Sequence, residues 1–98
     1  MKINNRLSEN NLRKPLEGEV LGTIIQLVGY DRAKVKCADN KIRICRIPGR
    51  MKKKIWLKEN DVVLVAPWDF QADSRGDIIY KYEKEEVKKL KEAGYQIP

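Results

Sequence analysis

The chain has no histidine. That removes the commonest general base and the commonest soft-metal ligand together. It has two cysteines, Cys37 and Cys45. Two thiols make no disulfide framework, and they fall two ligands short of a structural zinc site. A reducing compartment keeps them as thiols, so they read as ordinary strand residues. Long hydrophobic runs are missing as well. The longest wholly apolar stretch, Val62 to Trp68, is far too short to span a bilayer. The N-terminal MKINNRLSENNLRK has no apolar core of a secretory signal. There is one phenylalanine, and no aromatic-rich strand of the type that splays single-stranded bases. No repeat or low-complexity block is present. The expectation is one cytoplasmic domain of 98 residues with a small core, no membrane contact, no cofactor, no metal and no catalytic machinery.

What the sequence does have is charge, and the charge is local. The net charge is +7. The segment from Asn40 to Lys58, NKIRICRIPGRMKKKIWLK, carries eight bases and no acid: Lys41, Arg43, Arg46, Arg50, Lys52, Lys53, Lys54 and Lys58. The remaining bases are nearly balanced by all 14 acids. A basic segment broken by Pro48-Gly49 and followed by Trp56 is a candidate phosphate-binding surface. Arginine offers phosphate a planar fork, and lysine a mobile point charge. The bland alternative is a solvated lysine loop, but three consecutive lysines repel one another and no packing requirement accounts for them. Two readings of Trp56 stay open: it stacks on a base or under an arginine, or it packs the end of the barrel.

The pattern along the chain predicts an all-β fold, a five-stranded OB-fold Greek-key barrel with a C-terminal α-helix. Residues 1–15 read as a flexible tail, 16–82 as the barrel, 83–94 as the helix and 95–98 as a short tail. Glu17 to Val28 is a long strand in which Gly22 marks a bend or bulge. Arg32–Ala38 and Lys41–Ile47 form a hairpin around Asp39-Asn40. With Ala38 opposite Lys41, Val35 and Cys37 share the inner face with Ile42 and Ile44, and Lys34, Lys36 and Arg43 form a basic outer face. Strict alternation would then put Arg46 inside, so a bulge or strand end is expected near Cys45. A connector with one helical turn over MKKKIW leads to a fourth strand, Asp61–Phe70, and a fifth, Asp77–Tyr82, with Ile78 and Tyr80 on one face. In the helix over Glu83–Ala93, acids come first and lysines last, Gly94 caps the end, and Val87 and Leu90 dock on the barrel.

Catalytic candidates are few. Asp69, Asp73 and Asp77 could hold magnesium for a nuclease, but acids in turns are common for local hydrogen-bonding reasons. Trp68 and Phe70 are expected to pack in the core or at the rim, and Tyr30 is a minor candidate for base stacking.

CRIPGRMKKKIWL (45–57) resembles the signature region of the translation initiation factor 1A family, archaeal and eukaryotic relatives of the bacterial A-site initiation factor. DVVLVAPWDFQADSRGDIIYKY (61–82) is similar to that family's fourth strand, loop and fifth strand, and EEVKKLKEAG (85–94) to its following helix. The resemblance covers about residues 16–95 and looks archaeal. It implies an OB-fold factor that binds the A-site region of the small ribosomal subunit through rRNA and promotes initiator tRNA and mRNA recruitment. It implies no enzymatic activity; other initiation factors are further candidate partners, and with nothing in the sequence favouring a dimer a monomer is expected. The RNA-contacting bases it implies are Arg43, Arg46, Arg50, Lys52, Lys53 and Lys54, with Trp56 beside them. Lys34, Lys36 and Lys41 join this set from the hairpin pattern. The alternative is a generic single-stranded RNA-binding module of cold-shock or RNA-chaperone type.

Overall fold

Segments rich in β-branched and aliphatic side chains give five strands in the computed structural model: β1 (Val20–Val28), β2 (Arg32–Cys37), β3 (Ile42–Arg46), β4 (Val62–Pro67) and β5 (Arg75–Lys81). The structure describes residues 12–54 and 57–98, with the side chains of 52–54 excluded. The expected N-terminal tail therefore lies largely outside the described residues. The strands close into a barrel in the order β1-β2-β3-β5-β4. All neighbours are antiparallel except β3 and β5, which run parallel. This is the OB-type barrel expected from the sequence. Helix α1 (Gly49–Lys54) follows β3, and helix α2 (Lys84–Glu92) follows β5.

β4 is apolar without alternation because it is buried on both sides. Val63 and Val65 face the barrel interior with Ile24, Val35, Cys37, Cys45 and Ile78. Val62 and Leu64 face outward into a second cluster with Leu21, Tyr82 and Leu90. α2 supplies Leu90, fully buried, and Val87 to that outer cluster. Its start is fixed by the Glu83 amide donating to Glu86 Oε1 at 2.8 Å. Its end is turned by Gly94 at φ 97°, with the Tyr95 amide donating to Leu90 O at 3.0 Å. The outer wall over the start of β1 and over β4 and β5 is thus covered, and the outer wall of β2 and β3 is left open.

Three expectations need correction. First, the β2–β3 register is one residue away from the expected one: Lys36 pairs with Ile42 and Val35 with Arg43. The turn holds three residues, not two. The Cys37 amide donates to Lys41 O at 2.8 Å, and Asn40 takes φ 69°. A slip of one residue turns every β3 side chain over. Arg43 and Cys45 point inward, Ile42 is exposed, Arg46 points out, and no bulge is needed near Cys45. Second, β1 changes register between Ile24 and Gln26, not at Gly22. Gly22 is required for close approach: a Cβ there would collide with Val35 Cγ1 and lie 3.1 Å from Lys36 O. Third, a register shift opposite Leu64/Val65 puts Tyr80 beside Tyr82 in the outer cluster, apart from Ile78. The two tyrosine rings meet edge to face at 4.8 Å.

Candidate nucleic-acid interface

The open wall is built by the outward positions of β2 and β3. Every second residue of β2 is basic: Arg32, Lys34 and Lys36. β3 contributes Ile42, Ile44 and Arg46. Arg32 and Arg46 are direct cross-strand partners. Like charges at opposed positions destabilise a sheet. One acid moderates them: Arg46 Nε lies 3.3 Å from Asp77 Oδ1, which also accepts Trp68 Nε1–H at 3.0 Å. The parallel β3–β5 pairing sets Arg75 beside Ile44. Together Arg32, Ile44, Arg46, Trp68, Gln71 and Arg75 line a shallow groove of about 250 Å³. Three guanidiniums around an aromatic edge and an aliphatic floor suit a phosphate with its base.

Two loops flank the groove. The β1–β2 turn exposes Tyr30 at 80% and the β4–β5 loop exposes Phe70 at 87%. Phe70 is therefore not core, and Trp68, 37% exposed, sits at the rim. In OB folds the β2–β3 face and these two loops form the usual ligand surface.

The expected site residues do not all lie together. Lys34, Lys36 and Arg46 share the open wall. Arg50 is exposed at the start of α1, whose neighbour Met51 is buried in the barrel core. Lys41 lies near the hairpin turn, 3.9 Å from Asp73. The side chains of Lys52, Lys53 and Lys54, and the whole of Trp56, lie outside the described residues.

Arg43 departs from expectation. It is 2% exposed and points inward. Its Nη1 and Nη2 donate to the two oxygens of Asp39 at 3.0 and 2.8 Å, and Nε donates to Ala72 O at 2.5 Å. Hydrogen bonding from Arg43 holds the Asp39 carboxyl below its ordinary range, and the same pair raises the Arg43 pKa. With its side chain 3% exposed, this guanidinium is turned away from solvent. Burial pushes the Cys45 thiol up to about 12 and raises that of Cys37 too, so neither is an activated nucleophile. The acids of the β4–β5 region are engaged singly: Asp73 near Lys41, Asp77 with Arg46 and Trp68. Among the described residues no group of three or more could hold a metal ion.

The family model for Translation initiation factor 1A / IF-1 matches residues 9–98. The chain belongs to the translation initiation factor 1A family. It is 48% identical over 84 residues to translation initiation factor 1A of Methanothermobacter thermautotrophicus, covering 86% of this chain and 85% of that one. It is 50% identical over 91 residues to that of Sulfurisphaera tokodaii, covering 93% and 83%. The solution structure of a translation initiation factor from the Wolbachia endosymbiont of Brugia malayi matches with TM-score 0.50 and 29% identity, covering 67% of this chain and 78% of that one. The family is non-enzymatic.

Arg32, Ile44, Trp68 and Arg75 line the groove and Phe70 flanks it, and the sequence pattern did not mark these five as candidate site residues. The basic alternation R-A-K-V-K of β2 carried the signal for Arg32. Arg75 reaches the groove through the parallel β3–β5 pairing and Trp68 through its position beside β5 at the end of β4, and neither long-range pairing leaves a local trace in the sequence.

Proposed function

We propose that this protein is a cytoplasmic factor that binds the small ribosomal subunit in its A-site region through rRNA, and so promotes initiator tRNA and mRNA recruitment. Membership of the family supports the reading. The observation that carries it is the opposed pair Arg32 and Arg46 on an open sheet face with Arg75 beside it. Repulsion between these groups is relieved when an anion sits between them. Lys34, Lys36 and Arg50 extend the positive surface, with Lys52, Lys53 and Lys54 included on sequence grounds and Arg43 excluded by its burial. The deciding experiment is chemical footprinting of small-subunit RNA with and without the protein. Protection confined to the A-site region supports the proposal, and protection elsewhere or none overturns it.

Exposed Tyr30 and Phe70 beside the groove favour a second reading, binding of unstructured single strands by stacking. Competition between unstructured RNA and intact small subunits separates the two. If free single strands displace the protein as readily as subunits do, the generic module is the better description.

A further inference from the structure

We propose that Arg43 is a positioning residue that fixes the aromatic β4–β5 loop for RNA while touching no RNA itself; the inference rests on the RNA-binding reading above. Arg43 joins two loops that are distant in sequence. Asp39, in the β2–β3 turn, receives its bidentate fork, and Ala72, in the β4–β5 loop, receives its Nε–H. The junction is reinforced by the Ile44 amide donating to Ser74 O at 2.9 Å and by Lys41 near Asp73. The loop held in this way carries Phe70 at its exposed tip and contains Gln71 at φ 62°. A non-glycine residue in that conformation persists only when its surroundings enforce it. A buried ion pair is a poor source of stability, because desolvation offsets its attraction. What the Arg43 fork supplies is geometry: the loop conformation is set before RNA arrives, so less ordering remains to be done on binding.

The loop from Trp68 to Ser74 contains no base. A fault in its placement therefore costs stacking and leaves counterion release unchanged. This separates a positioning arginine from a phosphate-contacting one. The measurement is binding of the full chain to archaeal small ribosomal subunits across a salt series. Arg43→Lys keeps the charge and loses the fork; it should weaken binding about tenfold with an unchanged salt slope. Arg46→Ala, a direct contact, should lower the slope by roughly 0.7–0.9. Asp39→Asn makes the protein more positive, so simple electrostatics predicts tighter binding, whereas loss of the fork's anchor predicts weaker binding. Phe70→Ala should weaken binding in the wild type and have little further effect in Arg43→Lys. Hydrogen exchange at residues 68–74 of the free protein should quicken in both Arg43→Lys and Asp39→Asn. Should Arg43→Lys not fold, Asp39→Asn, on an exposed turn, carries the test alone. Wild-type affinity in Asp39→Asn and Arg43→Lys, tighter binding by Asp39→Asn, or additive effects of Arg43→Lys and Phe70→Ala would each overturn the inference while leaving the RNA reading intact. Failure of the wild type to bind subunits overturns both.

Discussion

Replacing Arg32, Arg46 and Arg75 together by alanine should reduce the salt dependence of small-subunit binding by about three contacts' worth. Each phosphate contact contributes roughly 0.7–0.9 to the slope of log K against log salt, so the triple variant should lose about 2–3. At roughly 0.1 M salt that slope difference corresponds to about two to three decades of affinity, or about 3–4 kcal/mol. One correction comes from the structure. Arg46 already holds Asp77 at 3.3 Å, and its side chain is largely exposed. An exposed pair of this kind is worth at most about 1 kcal/mol, so the net loss should be about 2–3 kcal/mol. The folded state should be little affected, by about 0.5 kcal/mol or less, because the groups are at the surface and Arg32 and Arg46 repel one another. Anisotropy titrations between about 50 and 200 mM salt, with thermal melts alongside, measure both quantities. An unchanged slope in a variant that melts like the wild type would refute the assignment of this wall to RNA.

Three further outcomes are expected. Gly22→Ala should destabilise the fold by about 1–3 kcal/mol in denaturant titrations, since its methyl would meet Val35 and the Lys36 carbonyl, whereas Gly49→Ala, with open space around it, should stay within about 0.5 kcal/mol. Leu90→Ala should cost about 2–5 kcal/mol in stability by undocking α2, yet leave RNA affinity nearly unchanged at low temperature, because α2 covers the start of β1 with β4 and β5 and not the open wall. Asp39 titrates below its ordinary value in the folded state, so its contribution to stability is intact above about pH 4 and is lost as pH falls through the lower folded value. In Asp39→Asn the acid limb of the stability curve should lose that part of its slope.

Strand and helix identities were legible because each follows from local pattern. The VVLV run marked β4 as a strand, though not its burial on both faces, and the acid-then-lysine order with Gly94 marked α2 and its end. The open wall was legible only in part. Lys34 and Lys36 alternate visibly, but the outward face of β3 depends on the number of residues in one turn. Asn40 in a left-handed conformation makes that number three and reverses the strand. The two-residue turn put Arg43 outside; with three residues in the turn it points inward, where Asp39, four residues before it, satisfies its fork. The groove itself is a product of closure. Arg75 joins Arg46 in the groove because β3 and β5 run parallel, and Trp68 because β4 runs beside β5, pairings set by the whole barrel.

In the proposed function, cationic groups on the β2–β3 wall grip folded small-subunit RNA. Site-directed hydroxyl-radical cleavage from probes tethered at Lys36, on that wall, and at Lys88, on α2, tests it most directly. Cuts in A-site-region RNA are expected from Lys36, with weak or no cuts from Lys88. Strong cutting from Lys88 with none from Lys36 would contradict it.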